Sequence, residues 1–103
     1  MSLRVELEKY IYQSNESLLN IFKNDLKGEE YFNDFIKLLK EELKSHELFN
    51  DVSLSKFKNG IEGENSFIRF MSLIRSVFVP EEVTAMSKEH FNRIQEEIKG
   101  ILE

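Results

Sequence analysis

Apolar positions recur at helical spacing in four stretches of this chain, and the densest is 66–79, SFIRFMSLIRSVFV. An α-helix turns ~100° per residue, so Phe67, Phe70, Met71, Leu73, Ile74, Val77 and Phe78 cover roughly 160° of its wheel. That arc is wider than a helix with one neighbour needs. Asn65, Arg69, Ser72 and Ser76 form the narrow polar stripe, with Arg75 at its edge. The pattern predicts a helix over 65–79, capped by Asn65, that stands at the centre of the fold with others packed around it.

The first helix is expected over 2–27, ending at Gly28, a residue suited to the left-handed position after a helix. Within it Val5, Tyr12, Leu19 and Leu26 repeat every seven residues. Heptad spacing keeps one stripe facing one neighbour. The stripe therefore reads either as a contact inside the bundle or as a seam for a partner or a second copy of the chain. A second helix over 29–47 opens with Glu29 and Glu30, which oppose the helix dipole favourably, and carries Tyr31, Phe32, Phe35, Ile36, Leu38, Leu39 and Leu43 at helical spacing.

Periodicity fails from Ser45 to Asn65. Asn50-Asp51, Asn59-Gly60 and Gly63 are turn formers, and the segment between them predicts a short helix near 53–59, capped by Ser53 and anchored by Phe57 and Ile61. Long irregular stretches in small domains are disproportionately functional or mobile. Pro80 followed by Glu81 and Glu82 marks the start of a last helix over 80–102. On it Val83, Met86, Phe91, Ile94, Ile98, Ile101 and Leu102 share a face, with Ser87 as a second candidate cap. The expected architecture is all-α: an antiparallel bundle of four main helices plus the short extra one, in a single domain spanning 1–103.

Composition narrows the class. The chain has 103 residues, 41% hydrophobic and 32% charged, which is a globular balance. Nine Phe and three Tyr against a single Ala and no Trp imply a core of bulky side chains, filled mainly by Phe, Leu and Ile. With no cysteine, disulfides and thiolate chemistry are removed, in keeping with a reducing compartment. The N-terminal residues alternate charged and apolar and do not read as a signal peptide, and the central helix is too short and too charged to span a bilayer. A cytoplasmic protein is expected. The net charge is −5 and no cluster of Lys or Arg stands out, which argues against nucleic acid as a partner.

Four titratable residues fall on predicted apolar faces: Glu42 and His46 on the second helix, His90 and Glu97 on the last. Inward Glu and His on paired helices can hold a metal or act as an acid–base pair. Here, however, no Glu stands three residues before either His, and Glu42–His46 supplies only two ligands where a catalytic zinc uses three. Inward carboxylates need partners. Arg69 and Arg75 on the central helix are placed to brace Glu42 or Glu97, and this structural role is the preferred expectation. Nucleophile-elbow, phosphate-loop and calcium-loop spacings are all absent.

By subtraction, the sequence predicts a non-enzymatic, cofactor-free regulatory or protein-binding module. Its partner would be another protein with a basic or neutral surface, or a second copy docked through Val5, Tyr12, Leu19 and Leu26. The competing expectation is a bundle that binds an apolar small molecule, or a metal through the inward Glu and His residues.

Overall fold

A computed structural model describes residues 3–78 and 88–103. Among them are six α-helices and no strand: α1 (Leu3–Ile11), α2 (Asn15–Asn24), α3 (Gly28–Leu43), α4 (His46–Phe49), α5 (Gly60–Val77) and α6 (Lys88–Leu102), with a 3-10 helix at Leu54–Phe57 before α5. The Pro80 helix start, Ser87, Val83 and Met86 lie outside the described residues.

Three of the expected helices have different bounds. The first is not continuous over 2–27. It breaks between Ile11 and Asn15, where Ser14 adopts an extended backbone and its Oγ accepts from the Ser17 N–H at 3.1 Å, so that α2 has its own N-cap. α2 also ends early: the Asp25 carboxylate accepts from the Lys27 N–H at 2.8 Å, a side-chain turn that redirects the chain.

Gly28 does not serve as a left-handed cap. It is the buried first residue of α3, where a Cβ would collide with the backbone carbonyls of Ile21 and Phe22. The left-handed cap belongs to Lys44, φ 53°, which closes α3 ahead of the separate turn α4.

The central helix starts five residues before the expected Asn65 cap. Gly63 permits this, because a Cβ there would stand 2.7 Å from the Phe57 backbone. The early start reverses one anchor of the irregular segment. Phe57 is fully buried as expected, whereas Ile61, on the first turn of α5, is 76% exposed.

α5 packs against α1, α2, α6 and the 3-10 helix, which gives it the central position its wide apolar arc implied. Phe67, Phe70, Met71 and Ile74 are all completely buried. The core they enter is aromatic. Phe22 of α2 lies against Tyr10, Phe32, Phe35 and Phe67, with ring centroids 5.4–6.4 Å apart. Phe57 extends the cluster to Phe32, Phe67 and Phe70, and Phe49 of α4 closes it on Phe70. Edge-to-face and tilted pairs at these separations add to the burial of the rings themselves.

Candidate functional site

Of the two arginines on α5, Arg75 is half-buried and Arg69 is exposed. Arg75 does act as a brace, but to the α1–α2 break rather than to the acids expected. Its Nε donates to the Ile11 carbonyl at 3.0 Å, its Nη2 to the Gln13 carbonyl at 2.7 Å and its Nη1 to Asn15 Oδ1 at 2.6 Å. All three acceptors are neutral. Partial burial pulls the pKa of Arg75 below its ordinary value, and the guanidinium remains charged at any physiological pH.

The last four carbonyls of a helix lack partners within it. In α1 each is met. Glu8 takes the Tyr12 N–H, Lys9 the Gln13 side-chain amide, Tyr10 the Gln13 N–H, and Ile11 the Arg75 Nε. One side chain from a distant helix thus completes the end of α1.

The three described titratable candidates, Glu42, His90 and Glu97, are not grouped as a metal site. Glu42 is half-buried, but His90 and Glu97 are exposed on α6, because the buried face of that helix is set by Ile94, Ile98 and Ile101. His46 heads α4, and its side chain lies outside the described residues. Among the described residues no three His, Asp or Glu side chains are grouped so as to hold a metal.

The heptad stripe is split by the break. Val5 is on α1, Leu19 on α2, Tyr12 in the turn between them and Leu26 beyond the end of α2. Leu19 packs partly against the core, whereas Val5, Tyr12 and Leu26 are 44%, 72% and 105% exposed.

The largest concavity described lies elsewhere, between α4 with its following turn and the second half of α6. It is an open surface groove of about 730 Å3. Its floor is half-buried: Leu48 and Val52 on one wall, Leu102 on the other, with Ser45 and Gln95 between them. Gln95 Nε2 donates to Ser45 Oγ at 3.2 Å and Ser45 Oγ donates to the Leu43 carbonyl at 3.2 Å, which ties α6 to the end of α3.

The groove's rim is exposed and charged, with Glu47, Asp51, Glu96 and Glu103 set against Lys44 and Lys99. A smaller hollow of about 230 Å3 toward the 3-10 helix shares Asp51, Val52 and Leu102, so the two form one trough.

None of the groove was singled out as a site from sequence. The available signal was the loss of periodicity from Ser45 onward, which placed one wall in an irregular stretch, and the membership of Leu102 in the apolar face of the last helix.

A second cleft, about 390 Å3, lies between α1 and α3 and is lined by Glu6, Lys9, Tyr10, Asp34, Lys37, Leu38 and Glu41. Burial, and then the nearby Asp34 and Glu6 carboxylates, push the Tyr10 phenol above its usual pKa.

No described helix is long and apolar enough to cross a membrane. Comparison with protein-family models, with curated proteins and with solved structures gives no match.

Proposed function

We propose that this protein is a non-enzymatic binding module that seats a basic, amphipathic segment of another protein in the groove between α4 and α6. The observation that carries this reading is the placing of half-buried Leu48, Val52 and Leu102, with Ser45 and Gln95 between them, inside a charged rim where four acids face two lysines. A helix or extended segment with alternating apolar and basic positions is the complement of that division. Apolar side chains would enter against Leu48, Val52 and Leu102 while Lys or Arg side chains reach the rim carboxylates. The chain's overall charge of −5 favours the same class of partner through long-range attraction. The scaffold for this role is an antiparallel bundle whose long stretches are α1–α2, α3, α5 and α6, with α4 and the 3-10 helix forming one wall of the groove.

The test is calorimetric titration with a model peptide carrying Leu and Lys at helical spacing, and with the same peptide in which Glu replaces Lys. The expected result is saturable binding of the basic peptide, weakened several-fold by added salt and by the double substitution Glu47→Lys with Glu96→Lys. Equal affinity for both peptides, or an unchanged affinity in the double variant, would remove the reading.

A further inference from the structure

The α1–α2 break contains neither Gly nor Pro. Its residues, Tyr12-Gln13-Ser14-Asn15, interrupt a pattern that reads as a single helix. In a continuous helix the Ile11 carbonyl would accept from the Asn15 N–H and the Gln13 carbonyl from the Ser17 N–H, by the ordinary i to i−4 rule. In the structure Arg75 occupies both of those carbonyls, and Ser14 Oγ occupies the Ser17 N–H. The groups that would close the straight helix are thus held by two side chains, one of them 60 residues or more away in sequence. The straight form also has a use for residues the broken form leaves exposed. It returns Val5, Tyr12 and Leu19 to one stripe, with Val5 and Tyr12 now open to solvent.

We propose that α1 is a two-position arm latched by Arg75, and that its second position is on a second copy of this chain. When Arg75 lets go, α1 and α2 fuse into one helix of about 33 Å over its 22 residues. α1 then lifts from its seat on α3 and α5. Leu7 and Ile11 are buried in that seat and Tyr10 meets Phe35 at 5.0 Å, so a detached arm exposes apolar surface. The vacant seat of an identical chain is the surface already shaped to cover it. Exchange of arms gives a symmetric dimer in which the packing of α1 on α3 and α5 is restored between chains. The two fused helices run beside each other at the hinge, where Val5, Tyr12 and Leu19 supply the new seam. This inference is independent of the groove between α4 and α6.

The experiment compares wild type with Arg75→Met, Ser14→Ala and Asn15→Pro by light scattering over a range of concentrations. It also uses mixed-label NMR to ask whether the Tyr10–Phe35 contact lies within or between chains. Arg75→Met is expected to shift the equilibrium toward dimer by roughly ten-fold or more, because the straight helix loses its competitor for two carbonyls. The Tyr10–Phe35 contact then becomes intermolecular.

Should Arg75→Met fail to fold, Ser14→Ala decides the matter, since it frees the Ser17 N–H with Arg75 intact and is expected to favour dimer in the same sense. Asn15→Pro suits the first position of α2 and is incompatible with a straight helix, so it should be monomeric throughout. A folded, monomeric Arg75→Met or Ser14→Ala, a dimer whose Tyr10–Phe35 contact stays within each chain, or a dimer that survives Asn15→Pro would overturn the proposal.

Discussion

Arg75 Nη1 lies 2.6 Å from Asn15 Oδ1, and that hydrogen bond ties the C-terminal end of α5 to the first residue of α2. At the other end of the same pair of helices, Phe22 meets Phe67 at 6.1 Å. The two contacts fix α2 and α5 as antiparallel and set their register. The same Arg75 donates to the Ile11 carbonyl at the end of α1, which has no glycine or proline to stop it.

Removing the Arg75 side chain should therefore cost more than its place at the edge of a wheel implies. Arg75→Ala strips the Ile11 and Gln13 carbonyls of their charged donor and is expected to destabilise the dilute protein by about 2–3 kcal/mol. In a domain of this size that lowers the melting temperature by roughly 10–20 °C. Arg69→Ala, at an exposed position, is expected to stay within about 0.5 kcal/mol of wild type. Urea denaturation of both variants checks the contrast.

The ring cluster predicts a second hierarchy. Phe22 touches four aromatic neighbours on three other helices, so Phe22→Ala should cost about 3–5 kcal/mol. Leu26→Ala, at a fully exposed position, should be nearly silent in the monomer. The two differ although both sit on the apolar side of the expected first helix.

Two glycines should respond to alanine with opposite signs. At Gly63 a Cβ meets the Phe57 backbone, which cannot yield cheaply, and a loss of about 1–3 kcal/mol is expected. At Gly100, within α6, a Cβ meets nothing within 4 Å, and the gain in helix propensity should stabilise the fold by up to about 1 kcal/mol. Thermal melts of the two variants test the close approach of α5 to the 3-10 helix directly.

The helical class, the central position of the 66–79 stretch and the short element at 54–57 were all legible from spacing and residue type, whereas Arg69 and Arg75 stood on equal terms with acids as partners, and Arg75 instead bonds the α1–α2 break. What misled was locality. The 2–27 stretch keeps its apolar spacing across Ser14 and Asn15, and the break there combines a local cap, Ser14 on the Ser17 N–H, with Arg75 from α5, which no local pattern records. The end of the same expected helix shows the converse. Gly28 is required by close packing against Ile21 and Phe22, which a linear reading cannot separate from a turn glycine. His90 and Glu97 looked inward on a wheel drawn for the whole of 80–102, whereas the buried face of α6 is narrower. The groove between α4 and α6 was beyond reach for a simpler reason: its walls come from segments more than 40 residues apart, and only their packing makes a trough.

The raised pKa of Tyr10 carries a pH dependence. Its folded value lies above the unfolded value near 10, so its contribution is complete below pH 10 and is lost as pH rises through the folded pKa. Stability by urea denaturation should therefore fall more steeply with pH above 10 in wild type than in Tyr10→Phe. Equal slopes in the two proteins would deny that this phenol is desolvated in the cleft between α1 and α3.

The central functional claim is that a basic amphipathic segment sits between α4 and α6. The most direct measurement is amide chemical-shift mapping of the labelled protein during titration with the Leu- and Lys-bearing peptide at low salt. The account predicts saturable shifts confined to the two walls, around Leu48, Asp51 and Val52 on one side and Gln95, Lys99 and Leu102 on the other. The absence of saturable shifts, or their concentration along the cleft between α1 and α3, would contradict it.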